Sequence, residues 1–135
     1  MASFNYITPP GFGEFLTKTN HYSQVVDLGN GIFKISGQGG WNEKGEIPSD
    51  PKLEVERAIQ NVHEALQAAG LRGWEDVYYV RSYHTDIDTT LPLVVEGLKK
   101  SAPENPSGAT AVGVARLALP DMKLEIEVDA KKHTS

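Results

Sequence analysis

The sequence has no cysteine among its 135 residues, which excludes disulfides, a thiol nucleophile and thiolate metal sites. It also has no apolar run near the roughly 18 residues that a membrane-spanning helix requires. The N-terminal stretch MASFNYITPPGFGEF has neither a basic start nor an apolar segment, so we expect no signal peptide. These absences predict one soluble domain over residues 1–135 with no membrane partner. We expect it in the cytoplasm, and the mitochondrial matrix stays open.

Clusters of positive charge are also scarce. Lys and Arg number 13 against 18 Asp and Glu, which gives a formal net charge of −5. Nucleic-acid binding depends on basic patches that neutralise phosphates. The largest basic clusters are the pairs Lys99-Lys100 and Lys131-Lys132. We therefore expect no nucleic-acid partner, and small molecules or other protein chains fit better.

The order of elements predicts an α+β fold. Gly29-Asn30-Gly31 separates two apolar runs and is typical of a tight hairpin turn. The apolar spacing predicts two helices, one before and one after a strand rich in aromatic residues. The result is one mixed sheet with both helices on one face. The expected elements are an irregular leader (1–20) with at most a short edge strand, a hairpin (22–38), a helix capped by Asp50 and Pro51 and ended by Gly70, a strand (77–84), a helix capped by Asp88 or Thr89 with Pro92 in its first turn, and a final hairpin (110–130).

The predicted final hairpin has the sequence TAVGVARLALPDMKLEIEVDA, and its second strand alternates strictly between apolar and polar side chains. Leu124 to Ala130 place apolar residues on one face, whereas Glu125, Glu127 and Asp129 share the other. Two helices cannot cover both faces of a sheet, so this acidic face is a candidate for burial between subunits. Of the three acids we single out Glu125 as a candidate catalytic carboxylate. The alternative is a structural ion pair with Arg116.

Two further stretches are candidate sites. The Gly-rich loop after the first hairpin, GQGGWNEKGEIPSDP, is either a ligand rim or a solvated connection. Its Trp41 is either a binding aromatic or a core residue, and packing is the more frequent role. His84, Asp86 and Asp88 alternate as metal ligands do. Because HExxH and EF-hand spacings are absent and capping explains Asp88, we predict no metal site.

The segments YSQVVDLGNGIFKISGQ, NVHEALQAAG and VGVARLALPDMKLEIEVDA together resemble the YjgF/Rid family, the reactive-intermediate (enamine/imine) deaminases. The resemblance runs from about Tyr22 to Ala130. It implies a chorismate-mutase-like fold that assembles as a homotrimer around a central β-barrel, with ligand clefts between subunits. Active members of this family hydrolyse 2-imino acids to 2-keto acids and ammonia without a cofactor.

The resemblance also implies site residues. Glu125 matches the water-orienting glutamate, Tyr22 the cleft tyrosine, and Ser36, Gly37 and Gln38 the SGQ loop that Trp41 follows. The arginine that binds the substrate carboxylate in the family falls on Ala109, next to Thr110, so this chain lacks it. Arg116 is no substitute, because it belongs to the VARL segment that members with the arginine also have.

Two functions remain open. One is a divergent hydrolase that converts an imine or enamine to a carbonyl compound and ammonia. Its substrate would either lack a carboxylate or be bound by Arg81. The other is a non-catalytic trimeric module that binds a metabolite or a protein. The acidic balance disfavours an endoribonuclease.

Overall fold

The computed structural model describes residues 4–134. Six strands form one sheet in the order β1-β2-β3-β6-β4-β5, and three α-helices accompany it. None of the helices in this range is long and apolar enough to cross a membrane. The elements are β1 (Asn5–Ile7), α1 (Phe12–Asn20), β2 (Val25–Gly29), β3 (Ile32–Gln38), α2 (Pro51–Ala68), β4 (Val77–His84), α3 (Ile87–Ser101), β5 (Gly108–Gly113) and β6 (Leu124–Lys131).

The first hairpin is confirmed. β2 pairs antiparallel with β3, and Gly29, Asn30 and Gly31 all have positive φ, between 56° and 91°. Glycine adopts this region freely and asparagine tolerates it, so these residues set the turn.

The first predicted helix, α2, is confirmed as well. Its Asp50 cap accepts a hydrogen bond from the backbone N–H of Lys52 at 3.1 Å, and Pro51 occupies the first helical position. Its apolar stripe is buried against β3 and β6. The stripe consists of Val55, Ala58, Ile59, Val62, Ala65 and Leu66.

The predicted start of α3 is wrong by two or three residues. The helix begins at Ile87 with Asp86 as its cap residue, and the Asp86 carbonyl accepts the backbone N–H groups of Thr89 and Thr90 at 3.1 Å. Thr89 also donates its hydroxyl hydrogen to the Asp86 carboxylate at 2.8 Å. Because the helix starts earlier, Pro92 lies beyond the first turn, inside the helix.

The leader is more ordered than its Pro and Gly content indicates. It contains the expected edge strand, β1, which pairs with β2, but also the helix α1. Leu16 of α1 is buried against Trp41 and Met122. This tertiary contact stabilises a helix that local composition does not predict.

The predicted final hairpin is wrong. β5 pairs parallel with β4, while β6 lies between β3 and β4 and is antiparallel to both. β4 therefore separates the two strands expected to pair. The helix α3 provides the crossover that a parallel β4–β5 pair needs, and β6 enters the centre of the sheet, where Leu124, Ile126 and Val128 are fully buried.

The two predicted helices lie on one face of the mixed sheet, as expected: α2 packs on β3 and β6, and α3 on β4 and β5. We call the other side the open face. Its register brings Tyr79, Arg81 and Tyr83 of β4 opposite Asp129, Glu127 and Glu125 of β6. The open face also carries Lys34, Thr110 and Val112.

Candidate functional site

Two of the three carboxylates on the open face are neutralised by neighbouring side chains. Arg81 donates from Nε to Glu127 Oε1 at 3.0 Å and from a terminal nitrogen to Asp129 Oδ1 at 2.9 Å. Lys34 Nζ donates to the same Asp129 oxygen at 3.1 Å, and the Tyr83 hydroxyl donates to Glu127. Burial alone would raise the pKa of Asp129, but the hydrogen bonds from Arg81 and Lys34 outweigh it and hold that pKa below its usual range.

Glu125 has a different environment. Within residues 4–134 its carboxylate forms no ion pair, and the alternative of a pair with Arg116 is not found. The exposed Arg116 instead directs Nε toward its neighbour's carbonyl, Leu117 O, at 3.5 Å. Burial raises the pKa of Glu125, and the negative charge of Glu127 raises it further. Glu125 is thus a partly buried carboxylate without a cation.

The segments before β2 and inside β3 enclose Glu125. A Cβ atom added to Gly37 would overlap Glu125 Oε1, so the glycine lets the carboxylate lie directly against the β3 backbone. The β3–β6 register shifts between Ile35 and Gln38, the stretch of β3 that contains this contact. Ser36 is held in place because its hydroxyl donates to Ser23 O at 2.6 Å.

Tyr22 belongs to the same group. Burial raises the pKa of the Tyr22 hydroxyl, the Gln24 carboxamide beside it opposes that rise, and the charge of Glu125 adds to it. The structure therefore brings together four of the residues predicted from the sequence: Tyr22, Ser36, Gly37 and Glu125.

Gln38 and Trp41 lie elsewhere. Gln38 is buried, and its Nε2 donates to Gln24 Oε1 at 2.7 Å and to Ser36 O at 3.1 Å. Trp41 is buried as well, with its ring centroid 5.3 Å from that of Phe12. Both residues line a cavity of about 690 Å³ whose walls include neither Tyr22 nor Glu125. Trp41 thus packs with Leu16 and Met122 while lining this cavity, and its binding role stays a prediction. The SGQ segment divides between two sides of β3.

Ala109 and Thr110 are also remote from Glu125 within one chain. Both are exposed on β5, which β4 separates from β6. Ala109 lies on the helix side, where it lines a small cavity with Val77 and Leu98. The Thr110 hydroxyl is hydrogen-bonded to the Tyr79 hydroxyl. Within one chain, β4 therefore lies between the β5 residues and the Glu125 group.

The His84, Asp86 and Asp88 pattern does not converge on a point. His84 is fully buried, with its ring nitrogens 2.6 Å from Thr90 Oγ1 and 2.8 Å from Ser82 Oγ, and burial lowers its pKa. Asp86 caps α3. Within the range that the structure describes, no group of His, Asp and Glu side chains has the arrangement of a metal site.

Sequence reasoning missed one residue that positions the site. Glu54, in the first turn of α2, is fully buried. Its carboxylate accepts the Lys123 backbone N–H at 2.7 Å, the Leu124 N–H at 3.2 Å and Lys123 Nζ at 2.7 Å. It therefore attaches α2 to the start of β6, next to Glu125. The available signal was an acidic residue directly beside the apolar stripe of α2.

Known proteins resemble this chain over most of its length. The sequence profile of the family described as "Endoribonuclease L-PSP" matches residues 14–132. The RutC family protein YjgH of Escherichia coli K12 is 35% identical over 109 residues, which is 79% of this chain and 81% of YjgH. The 2-iminobutanoate/2-iminopropanoate deaminase of the same strain is 34% identical over 112 residues, 81% of this chain and 85% of the deaminase.

Solved structures also resemble this chain over most of its length. That of Protein YJGH has a TM-score of 0.83 at 29% identity, covering 99% of this chain and all of that one. The crystal structure of E. coli TdcF with bound serine has a TM-score of 0.73 at 31% identity, covering 83% of this chain and 88% of TdcF.

Proposed function

This chain belongs to the YjgF/Rid family, and from that premise we propose that it forms a homotrimer with a small-molecule cleft between subunits, where Glu125 hydrolyses an imine or enamine to a carbonyl compound and ammonia. The observation that carries the proposal is the Glu125 carboxylate, which is partly buried and has no cationic partner among the described residues. It lies against the Gly37 backbone and close enough to Tyr22 to influence the tyrosine's pKa. The proposed reaction requires no cofactor.

The raised pKa of Glu125 suits general acid–base catalysis, because it brings the ionisation of the carboxyl closer to neutral pH. In the proposed reaction Glu125 accepts a proton from water as the water oxygen bonds to the imine carbon, and it passes that proton to the imine nitrogen to give a tetrahedral carbinolamine. Glu125 then accepts the proton of the carbinolamine hydroxyl and delivers it to the nitrogen. The C–N bond breaks, ammonia leaves, and the carbonyl product forms while Glu125 returns to its ionised state. One water is consumed and one ammonia released.

The trimer is supported by surfaces that the single chain leaves uncovered. The helices leave the open face bare, and β5 is a sheet edge on which all six residues are exposed. An exposed edge and a bare face are typical of surfaces that another subunit covers. An intersubunit cleft would also allow β5 of one copy to complete the Glu125 site of another.

A specific observation favours a second function, a non-catalytic module that binds a metabolite or a protein in the same cleft. The position of the family arginine is Ala109, and β5 carries no charged residue. Arg81, the alternative carboxylate-binding group, already donates to Glu127 and Asp129. A 2-imino acid would therefore have to displace an existing ion pair. The family description names an endoribonuclease, but the net charge of −5 does not favour RNA as a substrate.

Imine hydrolysis distinguishes the two functions. We would assay 2-iminobutanoate and 2-iminopropanoate, generated in situ by an amino-acid oxidase or dehydratase, together with an imine that has no carboxylate. The variants are Glu125→Gln, Ala109→Arg and, as control, Glu104→Gln at an exposed site outside the cleft.

We expect Glu125→Gln to lose roughly 10²-fold or more of the wild-type rate, which is the usual contribution of a general base, and Glu104→Gln to keep it. Because Ala109 is exposed, an arginine fits there, and Ala109→Arg should improve turnover of the two imino acids. If neither the wild type nor Ala109→Arg exceeds the uncatalysed rate on any of these substrates, the binding module replaces the hydrolase.

A further inference from the structure

A second cavity, whose lining includes neither Tyr22 nor Glu125, lies between the leader and α2. Its volume is about 690 Å³. One wall is formed by residues 9–13 of the leader, and another by a polar stripe on α2 that runs from Arg57 through Asn61 to Glu64. The floor is made of Gln24, Gln38 and Trp41. Gln38 and Trp41, the two predicted site residues described above as lying away from Glu125, thus line this cavity.

The floor contains an accessible side-chain acceptor that has no protein partner among the described residues. Gln38 is only 4% exposed, and both of its hydrogen bonds use Nε2 as the donor. Its Oε1 accepts no hydrogen bond within residues 4–134, yet no buried polar side-chain atom in that range is left unsatisfied. Oε1 is therefore not a fully buried atom, and Gln38 lines the cavity. A carboxamide oxygen that opens into a cavity favours a ligand with an N–H or O–H donor.

The wall contributes a cation. Arg57 is half-buried and forms no ion pair with any residue that the structure describes. A guanidinium binds carboxylates through two parallel hydrogen bonds. The exposed carboxylates Glu43 and Glu64 line the same cavity, so they attract a positive group and repel a ligand with two negative charges.

The cavity is built before any ligand arrives. Asn61 donates from Nδ2 to Gly39 O at 2.8 Å and to Trp41 O at 3.1 Å, which fixes the loop beneath the floor. Gln24 donates to Gly13 O at 3.2 Å and attaches the leader to the floor. Preformed polar groups lose little entropy when a ligand binds.

We propose that this cavity binds a small zwitterion, a molecule with a carboxylate for Arg57 and an ammonium group for Gln38 Oε1 and the rim carboxylates. An α-amino acid is the simplest molecule with both groups. The site is independent of Glu125, so its ligand is bound whether or not the protein hydrolyses imines.

The probe is L-alanine, compared with two analogues that each lack one charged group, propanoate and ethylamine. Binding is measured by NMR titration of ¹⁵N-labelled protein. We expect alanine to shift the side-chain amides of Gln24 and Gln38 and the backbone amides of residues 39–43, and each analogue to bind roughly tenfold more weakly, because each loses one charge-assisted contact.

Variants separate this cavity from the rest of the molecule. Arg57→Gln should weaken alanine binding about tenfold, and thermal unfolding verifies that the helix is intact. Arg116→Gln removes an exposed arginine outside this cavity and should leave binding unchanged, as should Glu125→Gln. The proposal is overturned if alanine causes no shifts, if they centre on Tyr22 and disappear in Glu125→Gln, or if propanoate binds as tightly as alanine.

Discussion

The three acidic residues of β6, Glu125, Glu127 and Asp129, differ in whether a neighbouring cation pairs with their carboxylate. Glu127 and Asp129 have cationic partners in Arg81 and Lys34, whereas Glu125 has none among the described residues. The sequence predicts the shared face from alternation alone. It does not predict which acid is left unpaired, because that depends on the β4–β6 register and on the β3 backbone that approaches Glu125.

The raised pKa of Glu125 has a consequence for stability. Below the unfolded-state pKa, Glu125 is protonated in both states and costs nothing. As pH rises, the unfolded chain releases this proton first, so the folded state is increasingly destabilised until pH passes the folded-state pKa, above which the penalty stays constant. Glu125→Gln should therefore unfold at higher urea than wild type near about pH 7, and the difference should shrink near about pH 3.5, below the ordinary glutamate pKa of about 4.3. Glu104→Gln is the control, and a pH-independent difference for Glu125→Gln would contradict the assignment.

Gly37 provides a test that leaves the carboxylate in place. In Gly37→Ala the new methyl group overlaps Glu125 Oε1 and displaces the end of that flexible side chain. We expect the fold to persist and any imine hydrolysis to fall roughly 10²-fold, the usual cost of displacing a catalytic group by about 1 Å. The pKa of Glu125, followed by ¹³C NMR, should change as well. Glu104→Gln, at an exposed position on the loop after α3, is the control, and equal effects of both substitutions would refute a specific role for Gly37.

At the scale of elements, local patterns predict helices and strands better than they predict pairing. The cap of α2 and the β2–β3 turn depend on residues adjacent in sequence, and both are confirmed. The pairing of β5 is not local, because the chain passes through α3 after β4 before β5 returns to lie beside β4. The last strand, β6, then lies between β3 and β4. Two neighbouring strand patterns suggest a hairpin, but a 10-residue separation between Gly113 and Leu124 also permits this longer path.

The Glu54 carboxylate connects α2 to β6, and its removal tests that connection. In Glu54→Gln the side-chain charge that compensates Lys123 is lost, and an amide NH₂ group faces backbone donors. Breaking a buried, hydrogen-bonded charge pair usually costs about 3–5 kcal/mol, and we expect about 3 kcal/mol because Lys123 is partly exposed. Urea unfolding measures the loss, with the exposed Glu56→Gln on the same helix as control. A loss below about 0.5 kcal/mol, the usual range for surface substitutions, would show that the contact is not a stabilising one.

At the scale of the whole molecule, the open face and the β5 edge are the surfaces that the helices do not cover. These surfaces carry both charged and apolar side chains. On the open face the charges of Lys34 and Arg81 balance those of Glu127 and Asp129. Val112, on the same face, is 39% exposed. A charge-balanced patch with an exposed apolar residue is compatible with burial against a second copy.

The proposed trimer predicts a mass in solution of three chains by light scattering. Because Val112 lies on the open face, Val112→Glu should bury an unpaired charge in the interface and reduce the mass toward that of one chain. Val95→Glu is the matched control, a valine 44% exposed on α3, on the opposite side of the sheet. A monomeric wild type, or equal masses for wild type and Val112→Glu, would reject this interface.

The sequence by itself determined the α+β architecture, the first hairpin, the core stripe of α2 and the family, because these depend on periodicity, on turn residues and on motifs that are local in the chain. Only the tertiary structure decided that β4 separates β5 from β6, that α1 forms around Leu16, and that Gln38 and Trp41 line a cavity away from Glu125. The physical reason is that each of these outcomes depends on contacts between residues distant in sequence, such as Glu54 with Lys123 and Gly37 with Glu125. Their free energies appear only when the elements pack together.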